Sequence, residues 1–412
     1  MPEFLSLVPP DIARDTLLKH IEYSPGISQI PVFEALDRVL AMDIVSNENL
    51  PAFVRSTVDG YAVRCVDTFG STETMPSFFS IIGEVRMGEK TDLTLSEGQC
   101  AVIHTGGMLP QGADAVVMIE HTQKSIANEI EVFRAIGKGE NILHQGEDVE
   151  IGERIFSKGN VIQIGDIGGL LALGFVSIPV FNLPKVGIIS TGDELVEPGD
   201  TLLPGKIRDI NSYTLSNLIR KYGGIPKTYG IVRDNPDSLS LMMRQAHMEN
   251  DLVIVTAGSS ASVRDYTSDV VNLLGSPGVL VHGVNVRPGK PTILGYCDHK
   301  PVIGLPGNPV SALVIAMLFV LPVLRKLRGE VRVEPFVDQR VRVSINISSV
   351  TGREDWVPVK FLSPGRDGIL VVEPIFYKSN LIFSVIRADG FVKIGSDANG
   401  IMPNDILDFY RI

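Results

Sequence analysis

The spacing of apolar and polar positions changes three times along the chain. Over residues 1–50 it is helical: "DIARDTLLKHI" and "PVFEALDRVLAMDI" each place apolar side chains three or four apart, the second through Phe33, Leu36, Val39 and Leu40. Each run predicts a helix. Residues 51–148 alternate instead, in "FFSIIGEV", "QCAVIHTG", "DAVVMIE" and "EIEVFRAI", with Gly and Pro turns between them. This is a strand-rich unit. Residues 149–183 carry a short glycine-bearing helix, "GDIGGLLALGF", and a strand, "VSIPVFNLP". They are expected to pack on 1–50, so that 1–50 with 149–183 form one discontinuous helical and linker domain.

The stretch 184–328 has the clearest rhythm. Apolar runs ("KVGIIS", "TYGIV", "DLVIVTAG", "LVHGVNV", "PVIGLPG") alternate with helical ones ("NSYTLSNLIRKYGG", "PDSLSLMMRQAHMEN", "YTSDVVNLLG"). Buried strands separated by helices predict a parallel sheet covered on both faces. In the first of these helices Asn211 or Ser212 is the expected cap and Gly223 the stop. "VSALVIAMLFVLPVL", Val310 to Leu324, is the most apolar run of the chain. It falls short of the ~20 residues a membrane span needs and reads as a buried core helix. From 329 to 412 the period shortens to small alternating strands ("VRVEPFV", "RVRVSI", "ILVVEPI", "FVKIG", "ILDFYRI") around a short helix, "SNLIFSVIRADG". A small C-terminal β-barrel or sandwich is expected.

Composition narrows the function classes. At 412 residues and 44% apolar content the chain is globular and multi-domain. Its net charge of −11 argues against nonspecific nucleic-acid or membrane-surface partners, while leaving room for an anionic small ligand in a local cationic field. Cys65, Cys100 and Cys297 are few and far apart. That fits a reducing, cytoplasmic setting and no cysteine-based metal site. "MPEFLSLVPPDIARD" lacks the basic and apolar regions of a signal peptide.

The candidate chemistry collects at strand ends. In a parallel α/β sheet all carboxyl ends share one edge, and ligands bind outside it. Five consecutive ends here are polar or rich in Gly and Pro: "STGDE" (190–194), "RD" (233–234), "AGSSASVRD" (257–265), "RPGK" (287–290) and "LPGNP" (305–309). They bring Asp193, Glu194, Asp234 and Asp265 beside Arg233, Arg264, Arg287 and Lys290. Carboxylates mixed with cations suit a phosphate-bearing ligand with Mg²⁺, which takes oxygen donors and bridges phosphate oxygens. "GSSAS" and "LPGNP" add N–H groups before helices, where anions bind. P-loop, dinucleotide, nucleophile-elbow and metal-histidine signatures are all missing. His104 and His282 lie in strand-like runs and are expected to be packed. One stretch stands apart: "RSTVDGYAVR" (55–64) sets Asp59-Gly60 at the mouth of a strand, where it serves either as a turn or to present Asp59 to a ligand.

In chain order, "STVDGYAVR", "HTGGMLPQGADAVV", "GEDV", "ISTGDEL", "RDYTSDV", "RPGKP" and "GLPGNPVSALV" resemble the motif series of the molybdopterin molybdenumtransferases. This is the molybdenum-insertase (MoeA) family that includes the E domain of gephyrin, and the resemblance runs from about residue 10 to 410. It implies an elongated protein of four domains: 1–50 with 149–183, strand-rich 51–148, an α/β pterin-binding domain at 184–328 and a β-barrel at 329–412. It further implies a homodimer with clefts built by both subunits. The implied reaction takes adenylylated molybdopterin and molybdate, releases AMP with Mg²⁺ assisting, and leaves molybdenum on the dithiolene.

By the same resemblance Asp59 and Thr105 reach the cleft from the partner's strand-rich domain, with Glu194, Asp234 and Asp265 completing the catalytic set. Glu194 and Asp265 would hold the metal. Ser190, Thr191, Gly192, Ser259, Ser260, Ser262, Arg287, Lys290, Pro306, Gly307, Asn308 and Pro309 would bind the cofactor, and Asp148 is a further carry-over. The molybdopterin adenylyltransferase and apo-molybdoenzymes are the implied protein partners. Two departures bear on the oxyanion. "GSSASVRD" replaces a Gly-Gly-Val-Ser type loop, and Arg287 replaces a lysine, bringing a planar fork in place of a point charge. A tungstate-preferring insertase therefore stays open, as does a non-catalytic scaffold. The small adenylylating relatives share only the α/β unit.

Overall fold

A computed structural model describes residues 7–22, 25–125, 128–257, 261–365, 368–376 and 378–411, with the backbone alone at 261–265 and 363–364. The first helix forms as expected, Pro10–His20, with proline in its first turn. Its buried Ala13 and Leu17 join the core of the α/β unit rather than 149–183. The expected helix at 31–44 does not form. Val32–Glu34 is a single 3₁₀ turn, Asp37 has a positive φ of 60°, and the chain then runs extended. There Val39 bridges Val161 and Leu40 bridges Val180. Those pairings, together with Ile27–Pro31 against Ser177–Phe181, bury Val39 and Leu40 and leave Phe33 and Leu36 exposed. Long-range strand pairing has overridden a helical spacing. The helix Ile164–Ala172 forms and packs Leu170 into the same small core as Val32, Ile162 and Ile178.

Residues 60–132 build a six-stranded sheet in the order 115–118, 60–63, 99–103, 77–85, 129–132, 122–124. Its core holds Phe79, Cys100, Ile103 and Val117. Gly60 lies at a close approach. A Cβ there would stand 1.9 Å from the Val117 carbonyl oxygen, so only glycine fits beside that strand. Gly60→Ala is therefore expected to destabilise the protein by about 3 kcal/mol, the scale of overpacking against a backbone that must move. Equilibrium denaturation checks this, and an unchanged midpoint would remove the steric account.

The α/β sheet is also six-stranded, ordered 225–232, 185–191, 252–257, 300–306, 293–297, 277–282. Four strands are parallel. Ile293–Cys297, not anticipated from the sequence, runs antiparallel to both its neighbours, so the sheet is mixed. That reversal leaves Pro277–His282 pointing the same way as the parallel four, and the 283–292 connection therefore lies at their carboxyl edge. Alternation along each strand supplies both cores. Val186, Ile188, Leu252, Ile254 and Ile303 face one side. Ile189, Val253, Val255 and Val302 face the other, against Leu239, Met243 and Val271.

The helix Asn211–Lys221 is capped by Asp209, whose Oδ1 accepts from the Ser212 N–H at 3.2 Å. Asn211 instead donates to the Gly307 carbonyl at 2.8 Å. The apolar helix is longer than its pattern suggests. It runs Pro309–Leu327, passing through a π-helical turn at 316–320, and its most apolar window is 94% buried within the protein. Its length and hydropathy would also suit a membrane span, but here it is a core helix. At its end Arg328 donates to the Asp37 and Tyr222 carbonyls and pairs with Glu330 at 2.8 Å, tying the α/β unit to the N-terminal segment.

The C-terminal unit is a closed five-stranded barrel, 354–364, 370–374, 339–343, 406–411 and 390–394. "VRVEPFV" is not one of its strands. Glu354–Pro364 is, and it is the longest. Val341, Val359, Val392 and Phe409 fill the barrel, whereas Trp356, Phe391 and Tyr410 belong to the α/β core. The barrel thus docks on the α/β unit through outward aromatics, next to the carboxyl edge.

Candidate functional site

At that junction a cleft of about 820 Å³ opens between the sheet edge and the barrel. The edge supplies Arg287, Lys290, Pro306, Gly307 and Asn308, all expected ligand-binding residues. The barrel supplies Arg353, Asp355, Lys378 and Ser379, which sequence reasoning missed. A short parallel pairing, Val286–Arg287 with Glu354–Asp355, joins the two sides. Asp355 is buried and organises the cations. Its Oδ1 accepts from Arg353 Nε at 3.0 Å, and its Oδ2 accepts from Ser349 Oγ at 2.9 Å and lies 3.8 Å from Arg287 Nη1. Asn285 donates to the Gly352 carbonyl. The LPGNP turn is pinned on both sides, by Asn211 through Gly307 and by Asn308 Nδ2 donating to Ser379 Oγ at 3.1 Å. Among the described residues four cations and one carboxylate line the cleft, a local reversal of a chain whose net charge is −11. Such a cleft suits an anion with several oxygens, because guanidinium forks match oxyanion geometry.

The next strand ends along the edge carry carboxylates. Ser190 and Thr191 were expected as ligand contacts, yet both side chains are buried. Thr256 Oγ1 donates to Ser190 Oγ, and Thr191 Oγ1 donates to the Thr256 carbonyl, both at 3.3 Å. They stitch adjacent strands, and Asp193 and Glu194 are the accessible part of the turn. A Cβ at Gly192 would lie 2.8 Å from a Glu194 carboxylate oxygen, so the turn folds that side chain back over a glycine. The Asp234 N–H donates to Asp193 Oδ1 at 3.4 Å. Burial raises the Asp234 pKa, a hydrogen bond from the Asp193 backbone partly offsets this, and the Glu194 and Asp193 charges add to the rise; among the described residues Asp234 Oδ1 is buried without a hydrogen-bond partner.

An orphaned carboxylate oxygen beside two further acids is a chemically fitting place for Mg²⁺, which binds one or two carboxylates and completes its shell with phosphates and water. Among the described residues no three His, Cys, Asp or Glu side chains stand close enough together to hold one ion. Ser259 and Ser260 lie outside the described residues. Ser262 and Asp265 fall in the helix Ala261–Asn272, without described side chains.

Asp59 and Thr105 meet at a different edge, that of the strand-rich sheet. Asp59 Oδ1 accepts from the Thr105 N–H at 2.8 Å and from Thr105 Oγ1 at 3.2 Å. Those two bonds, the N–H first, and the nearby His104 hold the Asp59 pKa below the usual carboxylate range. The HTGG turn is latched to the segment before Asp59: Gly106 N–H donates to the Ser56 carbonyl at 2.8 Å, and Ser56 N–H to that of Gly107 at 3.0 Å. His104 is not packed as its strand-like run suggests. It is 44% exposed, with Nε2 2.9 Å from Glu84 Oε1. Among the described residues no hydrogen bond links this sheet to the α/β edge.

Three family models together span most of the chain. Residues 8–174 match the MoeA N-terminal region (domain I and II), 187–326 the probable molybdopterin binding domain and 340–412 the MoeA C-terminal region (domain IV). A molybdopterin molybdenumtransferase of Staphylococcus epidermidis is 30% identical over 375 residues, covering 91% of this chain and 88% of that protein. The chain belongs to the MoeA family of molybdopterin molybdenumtransferases. A Methanocaldococcus jannaschii relative named for molybdopterin biosynthesis is 35% identical, covering 97% of this chain and 96% of its own length. The crystal structure of a Pyrococcus horikoshii molybdopterin biosynthesis MoeA protein superposes with a TM-score of 0.86 at 32% identity, covering 99% of this chain and 100% of that one. The MoeA-family chain is accordingly a transferase of molybdenum cofactor biosynthesis, acting on a molybdopterin-type substrate, and its mixed-sheet and barrel architecture is the MoeA fold.

Proposed function

We propose that this transferase moves molybdenum from molybdate onto adenylylated molybdopterin and releases AMP, with Mg²⁺ assisting, in a homodimer whose clefts draw on both subunits. The observation that carries the reading is the cationic cleft: Arg287, Lys290, Arg353 and Lys378 converge beside the LPGNP turn. Cleaving the phosphoanhydride to AMP builds negative charge on phosphate oxygens, and fixed cations stabilise it. Mg²⁺ held at Glu194 with Asp234 or Asp265 would polarise those oxygens. The guanidinium of Arg353, fixed by Asp355, orients an oxyanion, and the LPGNP backbone bounds its pocket. Asp59, ionised and held by Thr105, is poised to accept a hydrogen bond from a ligand. Its place on a sheet edge separate from the α/β edge supports the shared-cleft reading, in which a second chain would supply it.

AMP release from adenylylated molybdopterin tests the reaction, assayed with Mg²⁺ and either no oxyanion, molybdate or tungstate. Release that depends on molybdate is expected. Faster release with tungstate would move the assignment to a tungsten insertase, consistent with Arg287 and the altered 258–265 loop. Tight binding without release under any condition would favour a carrier or scaffold.

A further inference from the structure

Three neighbouring strands end near Asp59, and each brings one ionisable side chain. Gly60 pairs antiparallel with Ile103, so Asp59 and His104 follow that pair side by side. On the other flank Glu84 pairs with Val102 and Val85 with Ile103, in parallel. Strand register alone therefore sets His104 between two carboxylates. Its Nε2 is 2.9 Å from Glu84 Oε1, and its Nδ1 is 3.8 Å from Asp59 Oδ1. A hydrogen bond at one ring nitrogen fixes the plane of the imidazole and the direction of the other nitrogen. Both Thr105 donors go to Oδ1 of Asp59, while Oδ2 accepts no hydrogen bond among the described residues. A carboxylate held through one oxygen can still pivot about it. The imidazole stands on the Oδ1 side, its Nδ1 3.8 Å from that oxygen and too far for a hydrogen bond, so any limit it sets on the pivot comes from its bulk and charge.

We propose that His104, braced by Glu84, is a positioning residue for Asp59, holding the carboxylate so that Oδ2 faces the ligand. A role in fold stability does not account for the arrangement. The side chains of His104, Asp59 and Glu84 are 44%, 62% and 59% exposed, and ion pairs so exposed contribute little to stability. The inference rests on the reading that Asp59 meets the reacting ligand.

Steady-state AMP release by the full chain, with adenylylated molybdopterin, Mg²⁺ and molybdate, tests it in four variants. His104→Phe is expected to lower kcat roughly tenfold to a hundredfold, the scale of a misplaced reacting group, with KM within about twofold. His104→Gln keeps an amide N–H donor and should recover most of the loss. Glu84→Gln should slow the parent, yet change nothing further in the His104→Phe background, because it acts through the ring. A parental kcat in His104→Phe, or additive losses in the double variant, would overturn the proposal. If the parent itself releases no AMP, the functional reading is at fault, and a second readout still decides the positioning role. The Asp59 carboxyl titration, followed by NMR, should move upward in His104→Phe, and an unmoved midpoint would show that the ring does not act on Asp59.

Discussion

Asp59→Asn and Glu194→Gln are each expected to cut AMP release by about a thousandfold, the loss typical of removing one preorganised charge from an active site. Both should leave the chain folded. Asp59 hangs from an exposed loop edge, and Glu194 is a half-exposed turn residue, so neither fills a core. The informative experiment mixes the two. In a two-fold dimer with shared clefts, a heterodimer carrying one variant per chain has one cleft with both defects and one with neither. It should regain about half of the parental rate. Tagged co-purification establishes that the heterodimer has formed, and kinetics on that species then decide. A heterodimer as inactive as its parents would confine each active site to a single chain.

Arg353→Ala is the second large effect. Arg353 comes from the barrel, and its Nε donates to the buried Asp355 at 3.0 Å. A charge-assisted hydrogen bond to an anion contributes about 1.5–3 kcal/mol. Its loss should therefore raise the molybdate concentration for half-maximal rate by roughly tenfold to a hundredfold. Arg353→Lys should recover only part, because a point charge cannot at once keep the Nε contact to Asp355 and a forked contact to an oxyanion. Initial rates across a molybdate series, at fixed pterin and Mg²⁺, measure this. An unchanged half-saturating concentration would place the oxyanion away from the barrel side of the cleft.

Much of the fold is legible in the chain because its strands are continuous. "KVGIIS" and "DLVIVT" are apolar on both faces, as strands with helices on either side must be, and both sit centrally in the sheet. The misread elements share a different cause. In "PVFEALDRVL" the spacing of Phe33, Leu36, Val39 and Leu40 imitates a helix, but the partners that decide the matter, Val161 and Val180, lie more than a hundred residues away. Ile293–Cys297 escaped notice because the turn before it reads as a ligand loop, which hides a reversal of direction. The candidate site divides along the same line. Arg287 and the LPGNP turn announce themselves by composition. Arg353 and Asp355 do not, since "TGREDW" looks like an ordinary charged turn until the 286–287 pairing brings it to the sheet edge. Ser190 and Thr191 mislead in the opposite sense: they are polar residues in a motif, yet their hydroxyls are used between strands.

The most direct measurement of molybdenum transfer is a single-turnover reaction with adenylylated molybdopterin, molybdate and Mg²⁺. AMP is quantified in it together with the molybdenum that co-migrates with the released pterin. The insertion reading predicts one molybdenum on the pterin for each AMP formed, with the two appearing at the same rate. AMP formed at full yield with a metal-free pterin would contradict it, and the chain would then be a hydrolase of the adenylylated cofactor.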